Sequence, residues 1–90
     1  MEKEVNQKML LLLKDSWSIE DIMSYESVKK SKAYEIRKRV QKSGGAVKFN
    51  PHRILVDKYF ELKGVSRAHE IEITNLMLKG MMSGYEKHSS

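Results

Sequence analysis

The segment VKKSKAYEIRKRVQK, residues 28–42, combines cationic, hydroxyl, aromatic and amide side chains with apolar ones at helical spacing. Ala33, Ile36 and Val40 recur every three or four residues, which predicts a helix with a narrow apolar stripe. Its opposite side then holds groups that can donate to phosphate oxygens and base edges. These are Ser31 near the start and Lys30, Tyr34, Arg37, Lys38 and Gln41 further along. A solvated charged helix without a binding role is the simpler interpretation. The neighbouring elements decide between that and a nucleic-acid-binding helix.

The net charge of +5 is distributed unevenly along the chain. Residues 28–58 contain ten Lys or Arg and two acidic side chains, a net charge of +8, whereas the remaining residues carry −3. Such a cationic patch attracts polyanions because binding releases their counterions. We therefore expect a nucleic acid as the partner, with an acidic protein as the less favoured alternative.

Other functional classes find little support in the composition. The absence of Cys excludes disulfides and Cys-based metal sites, and the three histidines, His52, His69 and His88, lack metal-ligand spacing. No nucleotide-binding loop or Ser/His pair is present. We expect no enzyme activity, no metal and no cofactor. Without a signal peptide or a run of transmembrane length, we expect a cytoplasmic chain with no membrane partner.

Two features predict a helix directly before the basic one. Ser18 and Asp21 form a capping-box pattern, and Trp17 and Ile22 have the spacing of a hydrophobic staple. A helix over about 19–25 is therefore expected, with Trp17 as a packing residue rather than a base-stacking one. A turn over 26–29 leads into the basic helix, which should stop at the glycines 44–45.

A small β-hairpin is predicted after the glycines. Residues 46–49 and 53–56 are β-prone, and Asn50-Pro51-His52 between them has turn composition. Alternation predicts Val47, Phe49, Ile54 and Val56 inward, Lys48 outward, and His52 and Arg53 at the tip. Asp57 is then expected to cap a following helix that buries Phe60.

The two ends of the chain are predicted to be helical over about 2–14 and 66–85. Residues 70–74 alternate like a strand, but the longer window favours a helix. Both ends carry many large apolar side chains. These either cover the core and each other or pair between chains, and we expect a homodimer or cooperative assembly on DNA.

The ninety residues thus predict one domain, 1–90: a mainly α winged helix-turn-helix with a small β-hairpin and extra terminal helices. The helix-turn-helix spans 18–42 and the wing spans 46–56. In this arrangement the second helix enters the major groove of double-stranded DNA, and the hairpin reaches phosphates or the adjacent minor groove.

The middle of the chain contains SIEDIMSYESVKKSKAYEIRKRV, then a glycine break, and then PHRILVDKYFEL. This stretch resembles the small excisionase-type proteins of phages and integrative elements. These are related in fold to the DNA-binding domains of MerR-type regulators. The resemblance covers about residues 17–62 and rests on the order of capped helix, turn, recognition helix, wing and Tyr-Phe helix. It implies a factor that bends attachment-site DNA and directs a tyrosine recombinase, an integrase, toward excision of a mobile element.

The predicted DNA contacts combine the basic helix with the wing. They are Lys29, Lys30, Ser31, Lys32, Tyr34, Arg37, Lys38, Gln41, Lys48, His52 and Arg53. A small transcriptional regulator is a close alternative to the excision role. A third alternative is a protein-interaction module that acts on a replication or recombination partner.

Overall fold

A computed structural model describes the backbone of residues 2–89 and the side chains of residues 3–80. Within these residues the chain is mainly helical and has one small antiparallel sheet, so the predicted winged helix-turn-helix architecture is confirmed. The helices are α1 (Glu2–Leu12), α2 (Ile19–Glu26), α3 (Lys30–Val40), α4 (Val56–Lys63) and α5 (Arg67–Ser89). The strands are β1 (Ser16–Trp17), β2 (Ala46–Val47) and β3 (Asn50–Leu55).

The start of α2 forms as its sequence predicts. Ser18 Oγ accepts from the backbone N–H of Asp21 at 3.3 Å, and the backbone N–H of Ser18 donates to Asp21 Oδ2 at 3.0 Å. This capping box satisfies two amide donors at a helix end that would otherwise lack partners. The helix ends at Ser27, which adopts the left-handed conformation with φ 56°, and Val28 packs against the core before α3 begins.

Trp17 lies at the centre of the core and is completely buried. Its Nε1 donates to the carbonyl of Leu11 at 2.8 Å, which fixes the end of α1 against β1. The rings of Tyr25, Tyr59 and Phe60 lie 4.8, 4.9 and 5.9 Å from it, centre to centre. The prediction that Trp17 packs within the protein is therefore confirmed.

Two glycines make the sharp reversal between α3 and the wing. The chain leaves α3 through a wide helical turn, Gln41–Gly45, in which Gly44 has φ +94°. Gly45 is buried, and a Cβ there would lie 2.3 Å from Val40 Cγ1. A side chain at position 45 would thus collide with the last turn of α3, which explains why the chain needs glycine there.

The sheet differs from the predicted two-stranded wing. Its order is β1-β3-β2, because Ser16–Trp17 pairs with the outer edge of β3 at Leu55 and Ile54. A two-residue strand carries no alternation pattern, so the sequence did not reveal it. β3 starts at Asn50, so the predicted turn over 50–52 is wrong. The hairpin instead turns at Lys48 and Phe49, since Val47 pairs with Asn50.

The start of α4 is a second correction. We predicted Asp57 as the cap, but α4 begins at Val56, and Asp57 lies in its first turn without capping it. The backbone N–H of Val56 donates to the carbonyl of Asp15 at 3.0 Å, which anchors the helix start to the chain before β1. Burial of Phe60, Ile54 and Val56 is as predicted.

The terminal helices pack on each other within the chain. The guanidinium of Arg67 donates to the carbonyls of Leu12 and Lys14, at 2.8 and 2.6 Å, and thereby joins α5 to the end of α1. Leu10, Leu13, Leu76 and Met77 stay exposed, so self-association remains a prediction. Among the described residues, no helix combines the length and apolarity needed to cross a bilayer.

Candidate nucleic-acid interface

The apolar stripe of α3 determines which of its side chains face outward. Ala33 and Val40 are buried, and Ile36 is half-buried against the core. Because the stripe is narrow, most of the helix circumference remains accessible. Six predicted contact residues on this accessible side are exposed: Lys29, Lys30, Ser31, Lys32, Tyr34 and Lys38.

One shallow groove brings α3 and the wing together. Lys30, Tyr34 and Arg37 of α3 line it with His52 of β3 and with residues 18–20 at the start of α2. The Arg37 guanidinium lies over the Tyr34 ring, 4.8 Å from its centre. Such a cation–π contact holds the planar guanidinium in a defined orientation while leaving its edge N–H groups available. The groove thus unites predicted contacts from two separate elements.

Most of the basic side chains of residues 28–58 form no ion pair with another described residue. These unpaired cations are Lys29, Lys30, Arg37, Lys38, Arg39, Lys42 and Lys48. Lys32 pairs with Glu35 at 3.7 Å, but both side chains are exposed, and such a pair contributes little. The positive charge of α3 is therefore available to an anionic partner.

Gln41 has a partner inside the protein. Its Nε2 donates to the carbonyl of Pro51 at 2.8 Å and to that of Arg53 at 3.3 Å. The amide connects the end of α3 to β3 and so sets the position of the wing relative to the helix. The predicted DNA contact through Gln41 stays a prediction, while its role in positioning the wing is visible.

His52 and Arg53 lie within β3 and not at the wing tip, so the predicted location of both is wrong. Arg53 is bonded to β1. Its Nε donates to Ser16 Oγ at 2.8 Å and its Nη2 to the Ser16 carbonyl at 2.9 Å. Nη2 also lies 3.9 Å from Asp21 Oδ2. The displacement follows from the third strand, because β1 provides partners for a side chain that we expected to be free. Arg53 thus links β3, β1 and α2.

Asp21 is the acidic group in that link. Burial by itself raises the pKa of this carboxyl, but the Ser18 N–H and the Lys14 ammonium outweigh burial and hold the pKa below its ordinary value. The carboxylate therefore remains charged between Lys14 and Arg53.

The wing tip exposes a residue that the sequence analysis placed inside. Phe49 is 94% exposed, beside the exposed Lys48, whose Nζ lies 5.3 Å from the ring centre. A Phe in a β-prone run normally faces a core, so alternation alone could not reveal this. Arg39 and Lys42 are two further exposed cations that were not among the predicted contacts, although the charge count of the segment signalled both. The side chain of His88 lies outside the described residues.

The chain matches no protein-family model, no curated protein and no solved structure. The interface is therefore defined by its own geometry: an exposed cationic helix, a wing fixed beside it, and a groove between the two. This geometry can contact a phosphate backbone and the edges of bases at the same time.

Proposed function

We propose that this protein binds double-stranded DNA sequence-specifically through α3 and the wing. The observation that carries the proposal is the groove in which Lys30, Tyr34 and Arg37 face His52 of the wing. An exposed helix beside a hairpin presents one surface to the major groove and a second to the flanking backbone.

Each side chain of the groove has a chemical role in this proposal. Arg37, oriented by Tyr34, presents two parallel N–H donors that match O6 and N7 of guanine. Lys30, in the first turn of α3, neutralises a phosphate, as does Lys38 on the exposed side. Lys48 and His52 contact the DNA backbone from the wing, so α3 and the wing contact the same DNA strand from two sides.

Salt dependence tests the electrostatic part. If about five phosphates are neutralised, log K against log salt falls with a slope of about −4 to −5. Gel-shift titrations with the full chain measure that slope. Replacing Lys38 with Gln should reduce the slope by about one. The matched control is Lys3→Gln on α1, which removes the same charge from another element. A wild-type slope near zero overturns the proposal.

Within DNA binding, we infer the role of an excisionase-type factor that works with a tyrosine recombinase. Support comes from the resemblance in residues 17–62 and from the order of α2, α3, wing and α4. Footprinting separates this role from that of a small transcriptional regulator. Direct repeats beside an attachment site support excision, whereas an operator over a promoter supports regulation.

A protein-interaction module is the second candidate. The observation that favours it is the pair of leucines left on the terminal helices, Leu10 at 63% and Leu76 at 59% exposure. Contiguous exposed apolar side chains mark protein-interaction sites, and a replication or recombination protein is the partner of this candidate. Association with such a protein in the absence of salt-sensitive DNA binding would favour this candidate over the first.

A further inference from the structure

Phe49 combines two features that are each unfavourable in the free protein. Its aromatic side chain is 94% exposed, and its backbone adopts the left-handed region with φ 66°. It is one of two turn residues between Val47 and Asn50, a position where glycine or asparagine is ordinary. Strained backbone of this kind clusters at sites of ligand contact, so the conformation points to a use for the side chain.

The base of the wing holds this tip in a fixed position. Gln41 bonds to the carbonyl of Pro51, and Arg53 bonds to Ser16, so β3 is attached to α3 on one side and to β1 on the other. The hairpin therefore presents Phe49 at a defined place relative to the groove residues of α3. A rigid projection loses little conformational freedom when it inserts into a partner.

The charge around the tip identifies the kind of partner. Residues 41–55 contain no Asp or Glu. Lys48 in the turn and Lys42 before β2 are their cations without an ion pair to a described residue, whereas Arg53 is paired with Asp21 at the base of the wing. Lys48 lies directly over the Phe49 ring. An exposed apolar ring beside an unpaired ammonium is complementary to a target that combines apolar faces with anionic edges. Stacked bases between two phosphate backbones have that combination.

We propose that Phe49 is an apolar wedge that enters the minor groove next to the site read by α3 and kinks the duplex. The proposal rests on the proposed DNA binding. The ring inserts at one base step and partly unstacks it, while Lys48 and His52 bind the phosphates on either side. Pyrimidine–purine steps unstack most easily, so the wedge adds sequence preference at a position that α3 does not touch.

Bending and unstacking can be measured together on one duplex. The probe is a duplex of about 30 base pairs selected by the wild-type protein from a random pool, with a dye at each end. A fluorescent adenine analogue replaces adenine at each pyrimidine–purine step in turn, and its emission rises when the base is unstacked. Wild-type protein should raise energy transfer between the dyes and increase emission about twofold or more at one step.

Two variants isolate the ring. Phe49→Ala should lose the emission rise and most of the bend while binding within roughly tenfold of wild type, because α3 still contacts the major groove. Phe49→Leu retains an apolar wedge and should keep most of both signals. Since the side chain is exposed, both variants should fold, and circular dichroism verifies this.

The outcomes separate the two proposals. A wild-type chain that binds no duplex overturns the DNA-binding proposal and the wedge with it. A chain that binds normally, but whose Phe49→Ala variant bends and unstacks as wild type does, overturns the wedge alone. Loss of a protein partner by Phe49→Ala, with the kink unchanged, also overturns the wedge and assigns Phe49 to a protein contact.

Discussion

Arg37 on α3 and Arg53 on β3 have the same side chain in adjacent elements, yet the protein uses them differently. Arg53 has three partners within the fold: Ser16 Oγ, the Ser16 carbonyl and, at 3.9 Å, the carboxylate of Asp21. Arg37 stacks on Tyr34 and has no ion pair with a described residue. The side chain on the sheet serves the structure, whereas the one on the helix remains available to a ligand.

The difference extends to the regions around them. At the base of the wing the carboxylate of Asp21 lies between the charges of Lys14 and Arg53, and this network ties the hairpin to β1 and α2. On the outer side of α3, most of the positive charges have no ion-pair partner among the described residues. A residue type alone therefore does not identify a DNA contact. The number of partners that a cation already has within the protein is the better guide.

Replacing Arg53 with Ala is expected to have the largest effect on stability. Hydrogen bonds from a charged donor contribute about 1.5–3 kcal/mol, and the loss would remove the guanidinium donor from the Ser16 hydroxyl and carbonyl. Urea unfolding measures the change. Arg39→Ala is the matched control, because Arg39 is exposed and should alter stability by no more than about 0.5 kcal/mol. Equal effects of the two variants would contradict the comparison.

Replacing Arg37 with Ala should affect DNA binding rather than stability. Stability should change little, whereas binding to the preferred site should weaken by about 1–3 kcal/mol and the preferred sequence should relax. Arg37→Lys serves as the control that keeps the charge and removes the fork of donors. Competition between preferred and scrambled duplexes gives the measurement. If Arg37→Ala leaves the ratio of the two affinities unchanged, Arg37 does not read a base.

The sequence predicted what depends on local periodicity and capping. The apolar stripe of α3, the Ser18–Asp21 capping box and the buried Trp17 all follow from neighbouring residues. The positions of Arg53 and Phe49 depend on strand pairing. Arg53 is not free because β1, only two residues long, pairs with β3 at Leu55 and Ile54. Phe49 lies in the turn because Val47 of β2 pairs with Asn50. Pairing between segments distant in sequence leaves no local pattern to read.

Lowering the pH should reduce the stability that paired charges give the fold, whereas raising the salt concentration should weaken DNA binding by the unpaired charges of α3. Glu26 accepts hydrogen bonds from the Tyr59 hydroxyl and from Lys63 Nζ. Burial alone raises the pKa of this carboxyl, but those two donors outweigh burial and depress it below 4.5. A depressed folded-state pKa means that the stabilisation is present above pH 4.5 and is lost as the pH falls through the folded value.

Glu26→Gln tests that linkage. The variant should be less stable than wild type at pH 7, and the difference should shrink as the pH is lowered below the ordinary Glu value of 4.5. Urea unfolding at several pH values measures it. Glu61→Gln is the control, because Glu61 pairs with Lys58 at the surface and is 68% exposed. A stability difference for Glu26→Gln that is independent of pH would show that the carboxylate charge is not what stabilises this cluster.

The smallest expected effect on stability has the opposite sign and concerns Phe49. Glycine adopts a positive φ without the roughly 1–2 kcal/mol strain of other residues, but it also adds entropy to the unfolded chain. Phe49→Gly should therefore gain about 0.5 kcal/mol in urea unfolding, while Phe49→Ala, which keeps a Cβ, should not.

Ser27 is the matched control, because it has φ 56° at the end of α2. Ser27→Gly should gain a similar amount of stability and leave DNA bending unchanged, whereas Phe49→Gly should gain stability and lose the bend. Comparing these two variants separates a positive φ that only ends a helix, at Ser27, from one that holds a side chain out for a partner, at Phe49. If Phe49→Gly instead lowers stability, the ring contributes to folding, and Phe49 belongs with Arg53 among the residues that serve the structure.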